Sequence, residues 1–317
     1  MTSFIGIDIG GTKCAVSRMT GEGRVEETVR FATLDVTKTL EAFARAVEEL
    51  KPAAGTIFGI SCGGPLDANR GLILSPPNLP GWDRIPVCEF FAKRFAAKAY
   101  LMNDANACAL AEWHFGAGRG SRTMVFLTSG TGMGAGLILD GRLYEGTTGE
   151  AGEVGHMRLS RTGPIGFGKA GSFEGFCSGG GIARLARLRL AASPGVAPSW
   201  AIPSEEMSTK KIAEAAAQKE PLALEIMQEA GRRLGQALAL LVDVLNPERI
   251  VIGGIFPRCH GLLRPEMERV LKEEALASAL AACKIVPAEL GETIGSHGAI
   301  AVAMNGAGVA LPPLPSK

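Results

Sequence analysis

The first apolar segment runs from Phe4 to Ile9 and ends in Asp8-Ile9-Gly10-Gly11. A short apolar run closed by glycines predicts a buried strand and a turn. Apolar character resumes from Cys14 to Met19, so residues 4–19 predict a β-hairpin around a glycine turn. From Leu34 to Leu50 the spacing changes, with apolar residues at Leu40, Phe43, Ala44, Val47 and Leu50. That is a helical period, and Pro52 stops it. Residues 56–61 predict a strand running into Cys62-Gly63-Gly64-Pro65. Residues 75–82 (SPPNLPGW) predict an irregular loop, 87–97 a helix, and 100–102 a strand leading into Asn103-Asp104-Ala105-Asn106. A helix to about Phe115 follows.

After the glycine-rich stretch 116–121, which predicts a hinge, the pattern restarts. Residues 124–128 predict a strand, 129–132 a glycine turn and 135–139 a strand. This repeats the arrangement of residues 4–19 and points to two domains built on one plan, with a ligand cleft between them. Residues 173–190 and 221–245 predict helices, and 191–207 a Pro/Ser/Ala-rich loop. A strand at 250–252 enters Gly253-Gly254, 296–305 is a closing helix, and the tail 311–317 is expected to fray.

Composition narrows the class. A length of 317 residues fits about two domains. The 42 glycines are not periodic, so they read as tight turns and close backbone approaches to ligands rather than as collagen. Thirty-three basic and 32 acidic residues leave a net charge of +1, which offers no electrostatic footprint for nucleic acid or an anionic membrane. Seven cysteines, an odd number without a CxxC pair, read as reduced thiols inside a cell. The opening MTSFIGIDIGG is not a signal peptide, and no apolar run reaches the length of a membrane span. The expectation is a cytoplasmic protein.

Four constellations could carry chemistry. In Asp8-Ile9-Gly10-Gly11-Thr12-Lys13, a glycine turn can point backbone N–H groups at phosphate oxygens. Thr12 adds a hydroxyl, Lys13 a cation, and Asp8 a carboxylate placed for the Mg²⁺ that accompanies ATP. The plainer reading is a hairpin turn, and the Walker A pattern is absent. Thr128-Ser129-Gly130-Thr131-Gly132 is a second such turn, and two of them favour a nucleotide held across a cleft. Gly253-Gly254 could let an adenosine lie flat against backbone. Asp104 reads either as a helix N-cap or as a general base on a hydroxyl, the one proton acceptor that phosphoryl transfer requires. In Gly149 to His156, Glu153 and His156 stand three apart among small residues and can reach one polar ligand. Glu174 reads as a ligand or as a first-turn acid favoured by the helix dipole.

Taken in order, IGIDIGGTK, GISCGGPLD, SPPNLPGW, LMNDANACALAEWHFGAG, TSGTGMGAGLILDG, GEAGEVGHM, the Glu174–Gly179 segment and RIVIGG resemble the ROK family. That family (repressors, open reading frames and sugar kinases) lies within the actin-like ATPase superfamily. The resemblance implies an α/β fold of two actin-like (ribonuclease H-like) lobes with a central interlobe cleft, one of residues 1–117 with the closing helix of about 296–317, the other of 118–295. It implies ATP-dependent phosphorylation of a hexose, with Asp104 as base. Gly64, Asn78, Asn103, Glu153, His156 and Glu174 would hold the sugar. Gly10, Gly11, Thr12, Lys13, Thr131, Gly132 and Gly254 would surround ATP, and Asp8 would place Mg²⁺. Glucose is the first expectation, followed by N-acetylglucosamine, N-acetylmannosamine and fructose. A homodimer is implied as well.

One departure stands out. Family members commonly hold zinc with a histidine and three cysteines, in CxCGxxGCxE. The matching residues 165–174 keep the glycines and Glu174 but carry Ile165, Phe167 and Ser172 at the cysteine positions. Thiolates are what such a tetrahedral site needs, so no zinc is expected, and Ile165 and Phe167 are expected to replace it by apolar packing. Two other readings compete. A transcriptional regulator of the family would need a helix-turn-helix module ahead of residue 8, and the neutral charge speaks against nucleic acid. A sugar sensor without catalysis would not need Asp104 and both glycine turns.

Overall fold

The computed structural model describes residues 3–19, 25–192, 198, 200–201 and 207–309. The tail expected to fray lies outside the described residues, as does most of the loop expected at 191–207. Contacts divide the chain into two units, Met1–Gly120 with Glu289–Lys317, and Ser121–Ala288.

The first unit grows from the glycine hairpin. β1 (Phe4–Ile9) pairs antiparallel with β2 (Lys13–Met19), and β2 with β3 (Val25–Ala32). After α1 (Val36–Glu49), β4 (Ile57–Cys62) runs parallel to β1. A two-stranded ribbon follows, β5 (Leu66–Asp67) with β6 (Leu72–Ile73). Then come α2 (Val87–Phe95), β7 (Lys98–Asn103), parallel to β4, and α3 (Asp104–Phe115). The sheet order is β3-β2-β1-β4-β7. The central strands read as continuous apolar runs because both faces are covered. The Phe43, Phe58 and Phe91 rings pack on one face. The closing helix, Ile294–Gly306, packs against β1, β4 and α3. It comes so close that a Cβ at Gly59 would fall on the Ala299 carbonyl oxygen. The sequence pattern misses β3 because its exposed VEETVRFA shows little apolar alternation.

The second unit repeats this plan. β8 (Met124–Ser129), β9 (Met133–Leu139) and β10 (Arg142–Tyr144) form the antiparallel part. A small hairpin, β11 (Ile165–Gly166) with β12 (Lys169–Ala170), precedes α4 (Phe173–Cys177), α5 (Gly179–Ala192), α6 (Thr209–Ala217) and α7 (Pro221–Leu245). β13 (Arg249–Ile252) runs parallel to β8, and α8 (Phe256–Glu274) and α9 (Ala277–Ala282) lead to β14 (Lys284–Pro287), parallel to β13. The order β10-β9-β8-β13-β14 reproduces the first sheet, directions included. The repeat seen in the sequence is therefore a repeat of topology, and the fold is the expected actin-like α/β plan. One expected helix, 173–190, is two. It breaks at Ser178, which is extended and whose hydroxyl accepts from the Gly181 N–H at 2.9 Å. No helix among the described residues is long and apolar enough to cross a membrane.

The stretch expected to act as a hinge begins tied down. Glu112 in α3 is fully buried. Its carboxylate accepts from the backbone N–H groups of Ala117 at 2.8 Å, Glu289 at 3.1 Å and Leu290 at 2.9 Å. Its carbonyl accepts from Gly116 and Gly118. Arg119 adds a salt bridge to Glu289 at 3.3 Å. The segment leaving the first unit and the one re-entering it are thus held side by side within that unit.

Candidate active site

In the first unit the site residues gather where β1, β4 and β7 end. Parallel pairing sets Asp8 beside Ser61, and Cys62 beside Asn103. Asn103 is the N-cap of α3, its side-chain oxygen accepting from the Ala105 N–H at 2.9 Å. Capping therefore falls to Asn103, and Asp104 is the first helical residue. Its Oδ1 also accepts from the Ala105 N–H, at 2.8 Å. Gly63 and Gly64 leave room on this side, for a Cβ would stand 3.7 Å from the Asp104 carboxylate and 3.6 Å from Asn103 Nδ2 respectively. The Gly10-Gly11 turn is tied back by Thr33, whose hydroxyl donates to the Gly10 carbonyl at 2.6 Å. A Cβ at Gly11 would stand 2.5 Å from the Asn78 carbonyl oxygen, so the turn and the 75–82 loop meet. Thr12 and Lys13 are exposed beyond it.

The two carboxylates share an environment that opposes charge. Burial, and then the Asp104 charge, raise Asp8 to about 6, with Lys13 and Arg30 pulling the other way. Asp8 faces the first turn of the closing helix, where a Cβ at Gly295 would strike its carboxylate. Asp104 is raised too, chiefly by the protein around it, although water reaches its side chain. Burial and the Asp104 charge push the Cys62 thiol up, so it stays protonated and supplies no nucleophile.

In the second unit the 129–132 turn is the hub. The Ser129 hydroxyl donates to the Cys177 carbonyl at 2.9 Å, and the Gly179 N–H donates to the Gly130 carbonyl at 2.7 Å. Gly254, at φ +66°, lies so close to Ser129 that a Cβ would overlap its carbonyl oxygen. Thr131, Gly132 and Gly254 are thereby brought together. The start of α5 joins them, since a Cβ at Gly180 would lie 2.7 Å from the Thr131 oxygen. Gly179 and Gly180 were missed as candidates, though Ser178 followed by three glycines ahead of a helical pattern was a usable signal. On the other side of the turn, the Glu174 carboxylate accepts from the Met133 N–H at 3.1 Å. Glu153 precedes and His156 ends a single 3₁₀ turn, Val154–His156, with Glu153 Oε2 3.9 Å from His156 Nε2. Gly155 packs that turn against Met133 and the Glu174 side chain.

Among the described residues no group of three or more His, Cys, Asp or Glu could hold a metal. Mg²⁺ does not require one, since it takes one or two carboxylates and completes its shell with water and phosphate oxygens. Asp8 suits it, being a hard donor whose ionised form lacks enough positive charge around it. Zinc is not suited. Ser172 Oγ is spent as the N-cap of α4, accepting from the Gly175 N–H at 3.1 Å, and the Cys177 thiol is buried on the Ala230 carbonyl. The apolar packing expected of Ile165 and Phe167 is a correction, because they are 57% and 72% exposed. The hairpin turn at Phe167-Gly168 carries its side chain outward, where the Phe167 ring meets the His156 ring.

Residues 4–305 match the ROK family. The chain belongs to the ROK family. Relatives include a glucokinase of Thermotoga maritima, 30% identical over 94% of this chain and 96% of that one. An N-acetylmannosamine kinase of Citrobacter koseri is 31% identical over 86% and 90%. Among solved structures, a glucokinase from Streptomyces griseus in complex with glucose and AMPPNP is 31% identical, with a TM-score of 0.76 over 96% of this chain and 99% of that one. A ROK family transcriptional regulator, a homolog of the E. coli MLC protein, is 25% identical with a TM-score of 0.84 over 96% and 78%. The chain is thus similar to sugar kinases and also to regulators of one family.

Proposed function

We propose that this protein transfers the γ-phosphoryl group of ATP to a hydroxyl of a hexose, with glucose as the substrate and Asp104 as the general base. One observation carries the reading: Asn103 is the N-cap of α3, and Asp104, whose Oδ1 shares the Ala105 N–H with it, is water-accessible and keeps its other carboxylate oxygen on the open side left by Gly63. Burial raises this carboxylate above its ordinary range, which makes its ionised form a stronger proton acceptor than an exposed aspartate.

In this reaction the sugar oxygen forms a bond to the γ-phosphorus as the bond to the β-phosphate oxygen breaks, and ADP departs. Asp104 orients the hydroxyl and takes its proton as negative charge grows on the oxygen. Gly64, Asn78, Asn103, Glu153, His156 and Glu174 are the residues assigned to the other hydroxyls. Gly10, Gly11, Thr12 and Lys13, with Thr131, Gly132 and Gly254, receive the nucleotide, their backbone N–H groups meeting phosphate oxygens. Mg²⁺, when bound through Asp8, neutralises phosphate charge. The glucokinase relatives support glucose, the N-acetylmannosamine kinase supports an N-acetylated hexosamine, and fructose remains a third arm. The protein works in the cytoplasm as a homodimer in this reading.

A coupled ADP-release assay across glucose, fructose, N-acetylglucosamine and N-acetylmannosamine tests it. Glucose should give the highest kcat/KM. Asp104→Asn should lower kcat by roughly 10²–10⁴ and leave glucose binding by calorimetry nearly intact. An Asp104→Asn enzyme with unchanged kcat removes the base role. The likeness to a transcriptional regulator supports a second reading, a sugar sensor without catalysis, which predicts sugar binding and no ADP release with any of the four sugars.

A further inference from the structure

The β11–β12 hairpin turns through Phe167 and Gly168, at φ +45° and +74°. Positive φ at both central residues is the turn that matches strand twist, and it is normally filled by Asn, Asp or Gly. A bulky aromatic is disfavoured there, and at 72% exposure burial does not account for it either. What the side chain does is meet His156. The two ring centroids are 4.8 Å apart at 67°, an edge contact. Two residues on, Lys169 Nζ donates to the His156 carbonyl at 2.7 Å. The same hairpin therefore grips both the imidazole and the backbone of His156. Phe167 stands at one of the positions where the family pattern has a cysteine, and Lys169 lies two residues beyond it.

We propose that this hairpin braces His156 in place of a metal: Phe167 holds the plane of the imidazole, Lys169 holds the backbone that carries it, and together they set the histidine for the sugar. Phe167 and Lys169 are then positioning residues for substrate affinity. The proposal rests on the reading of His156 as a sugar ligand. Its reach is stated by the chemistry, since an edge-on aromatic contact orients a ring without coordinating it and needs no ion.

The test uses Phe167→Gly, because glycine prefers this turn and keeps the hairpin folded. The thermal midpoint should not fall. The KM for glucose should rise roughly two- to tenfold, the range an aromatic pair contributes, while kcat and the KM for ATP stay within about twofold. The NMR signal of the His156 Cε1–H group, assigned by its loss in His156→Gln, should move in the sugar-free protein as the ring current disappears. Phe167→Tyr should restore both, and Lys169→Met should raise the glucose KM in the same direction. A static His156 signal in Phe167→Gly overturns the brace, whatever happens to KM, and so does a moved signal with unchanged glucose KM when His156→Gln does raise it. If His156→Gln itself leaves the glucose KM unchanged while the signal moves in Phe167→Gly, the sugar role of His156 is what fails. One tightly bound zinc per chain by metal analysis overturns the proposal outright.

Discussion

Replacing Asp8 by Asn should make this protein more stable at neutral pH while removing its hold on Mg²⁺. Asp8 is raised from 3.8 to about 6, first by burial and then by the Asp104 charge. A carboxylate raised on folding favours the neutral form. The stability it contributes is full below pH 4 and is lost as pH climbs through about 6. At about 1.4 kcal/mol per pKa unit, ionised Asp8 costs the folded state up to about 3 kcal/mol, less whatever solvent screening its partial exposure allows. Asn mimics the neutral form and escapes that cost. At pH 7.5 without Mg²⁺, the variant should therefore unfold later than the parent by up to about 3 kcal/mol, or roughly 5–10 °C for a unit of this size. At pH 4 the two should coincide. With ATP present throughout, adding Mg²⁺ should raise the parent midpoint and leave the variant nearly where it was, because only the parent holds the cation through Asp8. Scanning calorimetry of both proteins at the two pH values reads all of this. A variant less stable than the parent at pH 7.5, or a gap of equal size at pH 4, would refute the claim that Asp8 sits in an uncompensated field.

The coupling between the carboxylates gives a companion result. Asp104→Asn removes the second cause of the Asp8 shift, so Asp8, followed by ¹³C NMR, should titrate below about 6. Glu112→Ala should cost roughly 3–5 kcal/mol in urea unfolding, since it strands the N–H groups of Ala117, Glu289 and Leu290 in a buried place. Glu112→Gln, which keeps one acceptor oxygen, should cost less than half of that. Gly254→Ala should raise the KM for ATP at least tenfold with a smaller effect on the glucose KM, because a Cβ at φ +66° presses on Ser129 and displaces the 129–132 turn. Equal effects on both substrates would detach Gly254 from the nucleotide.

Local elements with a strong period were legible. α7 spans Pro221–Leu245, the range its pattern predicts, with Glu220 as cap and Asn246 as left-handed stop. The glycine hairpins announced themselves because apolar runs around a glycine turn have few other solutions. What escaped was short, polar overall or interrupted, as with the nine-residue α6. α8 was not seen, with low mean hydrophobic content and Pro265 inside it. The break at Ser178 was not seen either, because a serine that caps the next helix looks like any serine within a helical pattern. At the site, the sequence offered Asp104 as cap or base, and only the structure assigned the cap to Asn103. It offered Glu174 as a ligand or a first-turn acid, and only the structure tied it to Met133 at the edge of the second glycine turn.

By itself, the sequence determined the chemistry available: two glycine turns, a carboxylate at a strand end, an acid–histidine pair, and no thiolates where zinc would sit. Those are matters of residue type and spacing along the chain, which backbone stereochemistry reads locally. The tertiary structure decided which of these groups meet. Asp8 and Asp104 lie almost a hundred positions apart, and parallel pairing of β1, β4 and β7 brings their charges within reach. Phe167 was expected inside, and the handedness of a two-residue turn placed it outside, on His156. Electrostatic shifts and ring contacts depend on distance through space, so no reading along the chain could supply them.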